Sequence, residues 1–101
     1  MPVETYELGA DARLELDEAI GFLESQRAGR GFEFLEAVHY DIELLVDYPE
    51  AGHKLYGGVR SFALADWPYK IIYAIEDAII VVWAIAHDSR RPGYWRKRLR
   101  R

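Results

Sequence analysis

The chain has 101 residues, half of them hydrophobic, and a formal net charge of −4, which is typical of a single globular domain rather than a disordered tail. It contains no cysteine, which excludes disulfides and thiolate metal sites. The longest apolar run, Ala78 to Ala86, has nine residues, whereas a membrane helix needs about 20. The acidic N-terminus lacks the basic region of a signal peptide, so we expect a soluble, cytoplasmic protein with no membrane partner.

The first half of the chain predicts a strand and two helices. Val3 to Leu8 alternates polar and apolar residues, which favours a short strand. From about Ala10 to Ala28 the apolar residues recur at helical spacing, with acids on the other face and glycines just after. A second amphipathic helix is predicted from about Phe32 to Tyr48, and Pro49 ends it. Because few residues separate the two helices, we expect an antiparallel hairpin.

The second half of the chain predicts three strands, since the apolar period changes to two: Val59–Ala65, Tyr69–Glu76 and Ala78–His87. Both faces of the last strand are apolar, so it should be interior and covered on both sides. Alternation divides its side chains into one set, Ile79, Val81, Trp83 and Ile85, and an opposite set, Ile80, Val82, Ala84 and Ala86. The helices can cover one face, and we expect a partner protein to cover much of the other.

These elements predict an α+β fold in a single domain spanning 1–101. It has an N-terminal strand, an antiparallel helix hairpin on a mainly antiparallel three- to four-stranded sheet, and a short basic C-terminal helix. Charge is unevenly distributed along the chain. Residues 1–50 hold thirteen acids and three bases, whereas residues 51–101 hold four acids and ten bases. A chain so divided can present an anion-binding face despite its low isoelectric point.

Four motifs occur in order along the chain: Tyr48-Pro49-Glu50-Ala51-Gly52, Gly58-Val59-Arg60-Ser61-Phe62, Pro68-Tyr69-Lys70-Ile71-Ile72-Tyr73, and the run from Ile85 to Trp95. Together with the order of elements they resemble the RelE/ParE superfamily of bacterial toxins from type II toxin–antitoxin modules. The resemblance implies growth inhibition, a role in plasmid stabilisation, and neutralisation by a cognate antitoxin protein. It also implies that operator DNA is contacted only indirectly, through the antitoxin complex.

The superfamily has two activities on one scaffold, so the site must distinguish them. RelE-type toxins cut messenger RNA on the ribosome without a metal, and ParE-type toxins poison DNA gyrase. A nuclease needs an acid–base group, for which His87 is the candidate by its chemistry; the alternative is a histidine that simply ends a strand. Lys70 resembles a basic residue of the nuclease set. Arg60, on the neighbouring strand, could hold phosphate or pair with an acid on a helix.

Tyr94 matches a tyrosine that in RelE-type toxins stacks on a base or takes part in proton transfer; the alternative for Tyr94 is packing on the sheet, which is the expectation for Trp95. The remaining candidates are cations that could contact phosphate or an acidic target: Arg90, Arg91, Arg96, Lys97, Arg98, Arg100 and Arg101. No residue spacing suggests a metal site or a cofactor.

Three readings remain open at this level. The middle strands offer few bases, the isoelectric point is about 5.3, and Asp88 places an acid where phosphate would bind. These features favour a ParE-type gyrase poison over a RelE-type endoribonuclease acting with the ribosome and messenger RNA. The third reading is a member that has lost toxicity and serves only as a binding partner.

Overall fold

The computed structural model describes residues 2–99, in which two helices pack on one face of a five-stranded sheet. The elements are β1 (Thr5–Leu8), α1 (Ala10–Gln26), α2 (Arg30–Asp47), β2 (His53–Lys54), β3 (Val59–Ala63), β4 (Tyr69–Glu76), β5 (Ile79–His87) and a 3-10 helix (Arg96–Leu99). The predicted α+β class and the order of its main elements are confirmed. The sheet gains one strand over the prediction, the two-residue β2, which is too short to leave a periodic pattern. The basic C-terminal helix is only a 3-10 turn.

The strands lie in the order β1-β5-β4-β3-β2. β1 runs parallel to β5, and the other neighbours are antiparallel. β5 is therefore an interior strand, as its apolar faces predicted. Its pairing with β1 ends where Leu8 lies opposite Val82, so within residues 2–99 no strand pairs with the last residues of β5 on that edge.

The alternation of side chains along β5 is interrupted at Trp83. Tyr73 lies opposite Val82, and Ile72 lies opposite Ala84, so Trp83 is an extra residue at a β-bulge. As a result Ile85 packs in the cluster beneath the helices, with Ile80 and Val82, while Ala84 and Ala86 join Val81 and Trp83 on the opposite face. The predicted assignment of faces was correct up to Trp83 and wrong beyond it, because the bulge shifts the pattern by one residue.

The helices and the first face of the sheet enclose the larger hydrophobic core. Its largest fully buried side chain is Tyr73. The Tyr73 hydroxyl donates to the carbonyl oxygen of Pro49 at 2.8 Å and accepts from the backbone N–H of Gly52 at 2.9 Å. The tyrosine therefore fixes the loop after α2 from inside the core, and its polar atom is satisfied there.

The second face of the sheet is covered by the chain itself. Tyr94, Trp95 and Leu99 pack on it, and Val81 and Trp83 are only 4% and 6% exposed. The expectation that a partner protein must cover this face was wrong, because the C-terminal residues are bulkier and fold back further than their number suggested. The exposed large apolar side chains lie mostly elsewhere, and on the helices they are Leu14, Phe22, Phe32, Leu35 and Tyr40. None of the helices described in residues 2–99 is long and apolar enough to cross a membrane.

Candidate functional site

Residues 88–99, called the C-terminal segment below, leave the end of β5 and turn back across the second face of the sheet. Gly93 has a φ of +77°, a left-handed conformation that glycine adopts without strain, and the backbone N–H of Arg96 donates to its carbonyl oxygen at 3.0 Å. This turn directs Trp95 onto the sheet, where it is 5% exposed. The basic residues of the segment are thereby held close to the protein rather than left as a loose tail.

A carboxylate from α1 fixes the segment. Arg98 donates to both oxygens of Glu15, from Nη1 at 2.8 Å and from Nη2 at 2.9 Å. Tyr94 donates its hydroxyl to Glu15 at 2.6 Å. The Glu15 and Arg98 side chains are only 11% and 17% exposed. Charged groups in such a bidentate arrangement make strong and strongly directional hydrogen bonds.

The same two side chains complete the free edge of β5. The backbone N–H of Ile85 donates to Glu15 at 3.0 Å, and the carbonyl oxygen of Trp83 accepts from Arg98 at 3.0 Å. These backbone groups lie beyond the last pairing with β1, where a neighbouring strand would otherwise satisfy them. Glu15 and Arg98 thus take the place of a missing strand, and they join α1, β5 and the C-terminal segment at one point.

The electrostatics of this cluster keep both partners charged. Burial on its own raises the pKa of Glu15, but the hydrogen bonds from Arg98 and Tyr94 outweigh it, and the net pKa is lowered. The hydrogen bond with Glu15 raises the pKa of Arg98. Burial, followed by the bond to Glu15, raises the pKa of Tyr94 well above its ordinary value. The Tyr94 hydroxyl therefore keeps its proton at neutral pH and donates it in the hydrogen bond to Glu15.

Two arginines flank the ring of Tyr94. The Arg90 guanidinium carbon lies 3.9 Å from the ring centroid and that of Arg98 lies 5.0 Å from it. Arg90 also approaches Glu15 at 4.0 Å. Of the predicted site residues, the candidate cations Arg90 and Arg98 and the candidate nuclease residue Tyr94 are thus brought together, around the Glu15 carboxylate.

The outward-facing cations form a different group. Arg91, Arg96 and Lys97 are exposed, and the Arg96 guanidinium lies 4.7 Å from the centre of the Tyr56 ring. Beside them lies a cleft of about 470 Å³ between the segment and the sheet, lined by Leu55, Tyr56, Ser61, Lys70, Ile72, Pro92, Gly93, Trp95 and Arg96. This face of the segment can meet a negatively charged surface. Arg100 and Arg101 lie outside the described residues.

The candidate nuclease residues are dispersed. Lys70 lines the cleft on the second face and approaches Asp88 at 3.9 Å. His87 lies opposite Tyr69 on the other face, with the two rings 4.9 Å apart. Arg60 donates to the carbonyl oxygens of Glu50 and Gly52, at 3.2 and 2.9 Å. These three side chains therefore do not converge on one phosphate-sized space.

His87 also has a local hydrogen-bonding role. Its Nδ1 accepts the backbone N–H of Ser89 at 3.0 Å and lies 2.8 Å from the Ser89 hydroxyl. Through this contact the Nδ1 side of the ring is directed toward the turn that follows β5. His87 therefore lies at the end of β5 with its ring bound to the following turn.

Glu15 is the residue of this cluster that the sequence analysis missed. It was grouped with the acids on the solvent side of the first helix. Its position, three residues after Ala12 and four before Ala19, nevertheless lies beside the buried side of α1. An acid at that spacing, in a chain with a distant cluster of arginines, was the available signal.

Comparison with known proteins identifies the fold and the family. A structure titled "Chromosomal ParDE TA system from P. aeruginosa" superposes with a TM-score of 0.74 at 16% identity, covering 84% of this chain and 95% of that chain, which is a likeness of fold. No protein with a curated description matches the chain. The family described as the ParE toxin of the type II toxin–antitoxin system parDE matches residues 6–92. Because that match covers most of the chain, the protein belongs to the ParE toxin family of type II toxin–antitoxin systems.

Proposed function

We propose that this toxin arrests growth by poisoning DNA gyrase and that a cognate antitoxin neutralises it in the cytoplasm. The ParE family match supports the gyrase reading over the ribosomal one. The observation that carries the proposal within the structure is the exposed cationic side of the C-terminal segment, held at a fixed position on the sheet. A fixed, charged protrusion suits recognition of a large acidic surface, such as gyrase engaged with DNA.

The candidate nuclease residues do not converge on one site, which also supports the gyrase hypothesis over the ribosomal one. Metal-free cleavage of RNA requires an acid–base group and cations within reach of one phosphate. His87 and Lys70 lie on opposite faces of the sheet, and Arg60 is bound to loop carbonyls. Tyr94, the remaining member of the set, donates its hydroxyl to Glu15. The endoribonuclease remains the alternative that the experiment below must distinguish.

The outer face of α2 supports an antitoxin partner. Phe32, Leu35 and Tyr40, called the α2 patch below, are 62%, 39% and 70% exposed. They line a shallow groove of about 1030 Å³ whose acids are Glu33, Glu36, Asp41 and Glu43. Exposed apolar side chains gathered in one groove mark a protein-binding surface. We propose that the antitoxin covers the α2 patch with an apolar stripe bordered by basic residues, since these would match the acids.

The test is inducible expression without an antitoxin, followed by plasmid supercoiling and pulse-labelled protein synthesis in the same cultures. We expect supercoiling to fall, or gyrase-linked DNA breaks to accumulate, before translation slows. The double variant Arg96→Gln/Lys97→Gln should lose this effect. Arg13→Gln/Lys54→Gln removes two other exposed cations, and it should retain the effect.

Three results would contradict the proposal. An immediate stop in translation with cut messenger RNA would favour the endoribonuclease and return attention to His87, Lys70 and Arg60. Normal growth on expression would favour the third reading, a non-toxic binding partner. Equal loss of effect in both double variants would mean that net charge, rather than the C-terminal segment, drives the interaction.

A further inference from the structure

The cations of the C-terminal segment fall into two groups with different partners. Arg98 gives both terminal nitrogens to Glu15, and Arg90 stacks on Tyr94. Arg96 and Lys97 are exposed in the same short turn. The direction in which the second group points therefore depends on how the first group is held.

Apolar packing alone cannot set that direction. Trp95 is buried and Leu99 packs against the second face of the sheet, but hydrophobic contact is not directional. A bidentate pair between a guanidinium and a carboxylate does fix an orientation. Among the ion pairs of the described residues, that of Glu15 with Arg98 is the one in which both side chains are less than one-fifth exposed.

Stability is a weak reason for such a pair. Removing two charges from water costs free energy that their attraction only partly recovers, and apolar residues of equal volume often hold a structure as well or better. The contribution that apolar residues cannot replace is orientation. Here the pair orients the turn that carries Arg96 and Lys97.

We infer that Glu15 is a positioning residue for the action of this toxin: through Arg98 and Tyr94 it sets the C-terminal segment in the one orientation that presents Arg96 and Lys97 to the target. The inference rests on the proposed function, because it requires that Arg96 and Lys97 contact the target. It assigns to α1 a role in toxicity without any contact between Glu15 and the target.

The first test is Glu15→Gln, which keeps the size of the side chain but turns an amide N–H₂ toward donors. If the segment then occupies the presenting orientation only a fraction of the time, the apparent affinity falls to that fraction of its original value. We expect the inducer concentration that halves the growth rate to rise about tenfold, as for a segment correctly placed about one-tenth of the time. Antitoxin binding, which uses the α2 patch, should stay the same.

The control is Gly31→Ala, which destabilises the packing of α1 against α2 without touching the segment. Hydrogen exchange distinguishes the two variants. The amides of Tyr94, Arg96 and Arg98 are hydrogen-bonded within the segment, and they should exchange faster in Glu15→Gln but not in Gly31→Ala. Gly31→Ala should retain its toxicity at equal amounts of folded protein.

Arg98→Lys provides a second measurement if Glu15→Gln folds poorly. It keeps the charge and loses the bidentate geometry, so its toxicity should fall between the unaltered protein and Glu15→Gln. Full toxicity of both variants, with faster exchange in the segment, would overturn the inference. So would the absence of growth arrest by the unaltered protein, since no action would then require positioning. Growth arrest without any change in supercoiling would refute the gyrase proposal alone, because the comparison of variants uses growth.

Discussion

The carboxylate of Glu15 and the guanidinium of Arg98 are 83 residues apart in the chain and meet through two hydrogen bonds of 2.8 and 2.9 Å. The pair joins α1 to the 3-10 helix Arg96–Leu99. The pair also caps the edge of β5 through Ile85 and Trp83. Local unfolding of the C-terminal segment must therefore break a charged pair as well as the packing of Trp95.

The first prediction concerns acid stability. The pKa of Glu15 in the folded protein is lowered from its ordinary value of 4.5. Its stabilising contribution is therefore fully present above pH 4.5 and is lost as the pH falls through the lowered folded pKa. Glu15→Gln has no proton to gain there. The difference in unfolding free energy between the two proteins should be largest near neutral pH and should shrink below pH 4.5.

Urea titrations at a series of pH values measure this difference. Glu18→Gln removes an exposed carboxylate from the same helix and serves as the control. A constant gap between the unaltered protein and Glu15→Gln across the whole series would contradict the lowered pKa.

The second prediction compares two glycines of the helix hairpin. A Cβ at Gly31 would lie 2.6 Å from the carbonyl oxygen of Ile20, so α1 and α2 would have to move apart. Gly31→Ala should cost about 2 kcal/mol of unfolding free energy. Gly21 has nothing within 4 Å of such a Cβ, and Gly21→Ala should stabilise α1 by about 0.5–1 kcal/mol because alanine loses less backbone entropy. Thermal unfolding of both variants measures the difference. If Gly31→Ala and Gly21→Ala shift the unfolding temperature in the same direction, the close packing at Gly31 is refuted.

The third prediction concerns the buried hydroxyl of Tyr73. Tyr73→Phe would leave the carbonyl oxygen of Pro49 and the N–H of Gly52 without this partner inside the protein. The expected loss is about 1–3 kcal/mol. Tyr69→Phe is the control, since the Tyr69 side chain is also buried but its hydroxyl makes no hydrogen bond among the described residues; its cost should be about 0.5 kcal/mol. Urea titrations measure both unfolding free energies. Equal losses for Tyr73→Phe and Tyr69→Phe would contradict a stabilising role for the hydrogen bonds of the Tyr73 hydroxyl.

The fold was largely predictable from periodicity, since the change of apolar period from 3.6 to 2 separates the helices from the meander. The bulge at Trp83 could not be predicted. Every residue of β5 around it is apolar, so an inserted residue leaves no break in the hydrophobic pattern. That one residue places Ile85 and His87 on the helix side of the sheet. Whether His87 and Lys70 share a face is decided by strand register, which a single sequence does not fix.

Only part of the candidate site could be predicted from the sequence. The basic segment was visible in composition, but its division into inward and outward cations depends on a helix more than 70 residues earlier, as the separation of Glu15 from Tyr94 shows. Contacts so distant in sequence follow from the packing of elements and not from any local pattern. The covered second face follows from the same packing, since Trp95 supplies the bulk that the count of residues did not suggest.

The last prediction concerns the α2 patch. Tyr40 is 70% exposed, so Tyr40→Ser should leave the fold intact while removing an aromatic anchor of the kind that dominates protein interfaces. We expect the dissociation constant for the antitoxin to rise about thirtyfold, the lower limit for an interface hot spot. Leu14→Ser removes an apolar side chain of similar exposure, 57%, from α1 outside the groove, and it should change binding little. Calorimetric titration of each variant with the antitoxin measures both values, and growth assays should show both variants still toxic alone. If Leu14→Ser weakens binding as much as Tyr40→Ser, the antitoxin contacts α1 as strongly as the α2 patch, and the proposal that it is anchored at the α2 patch fails.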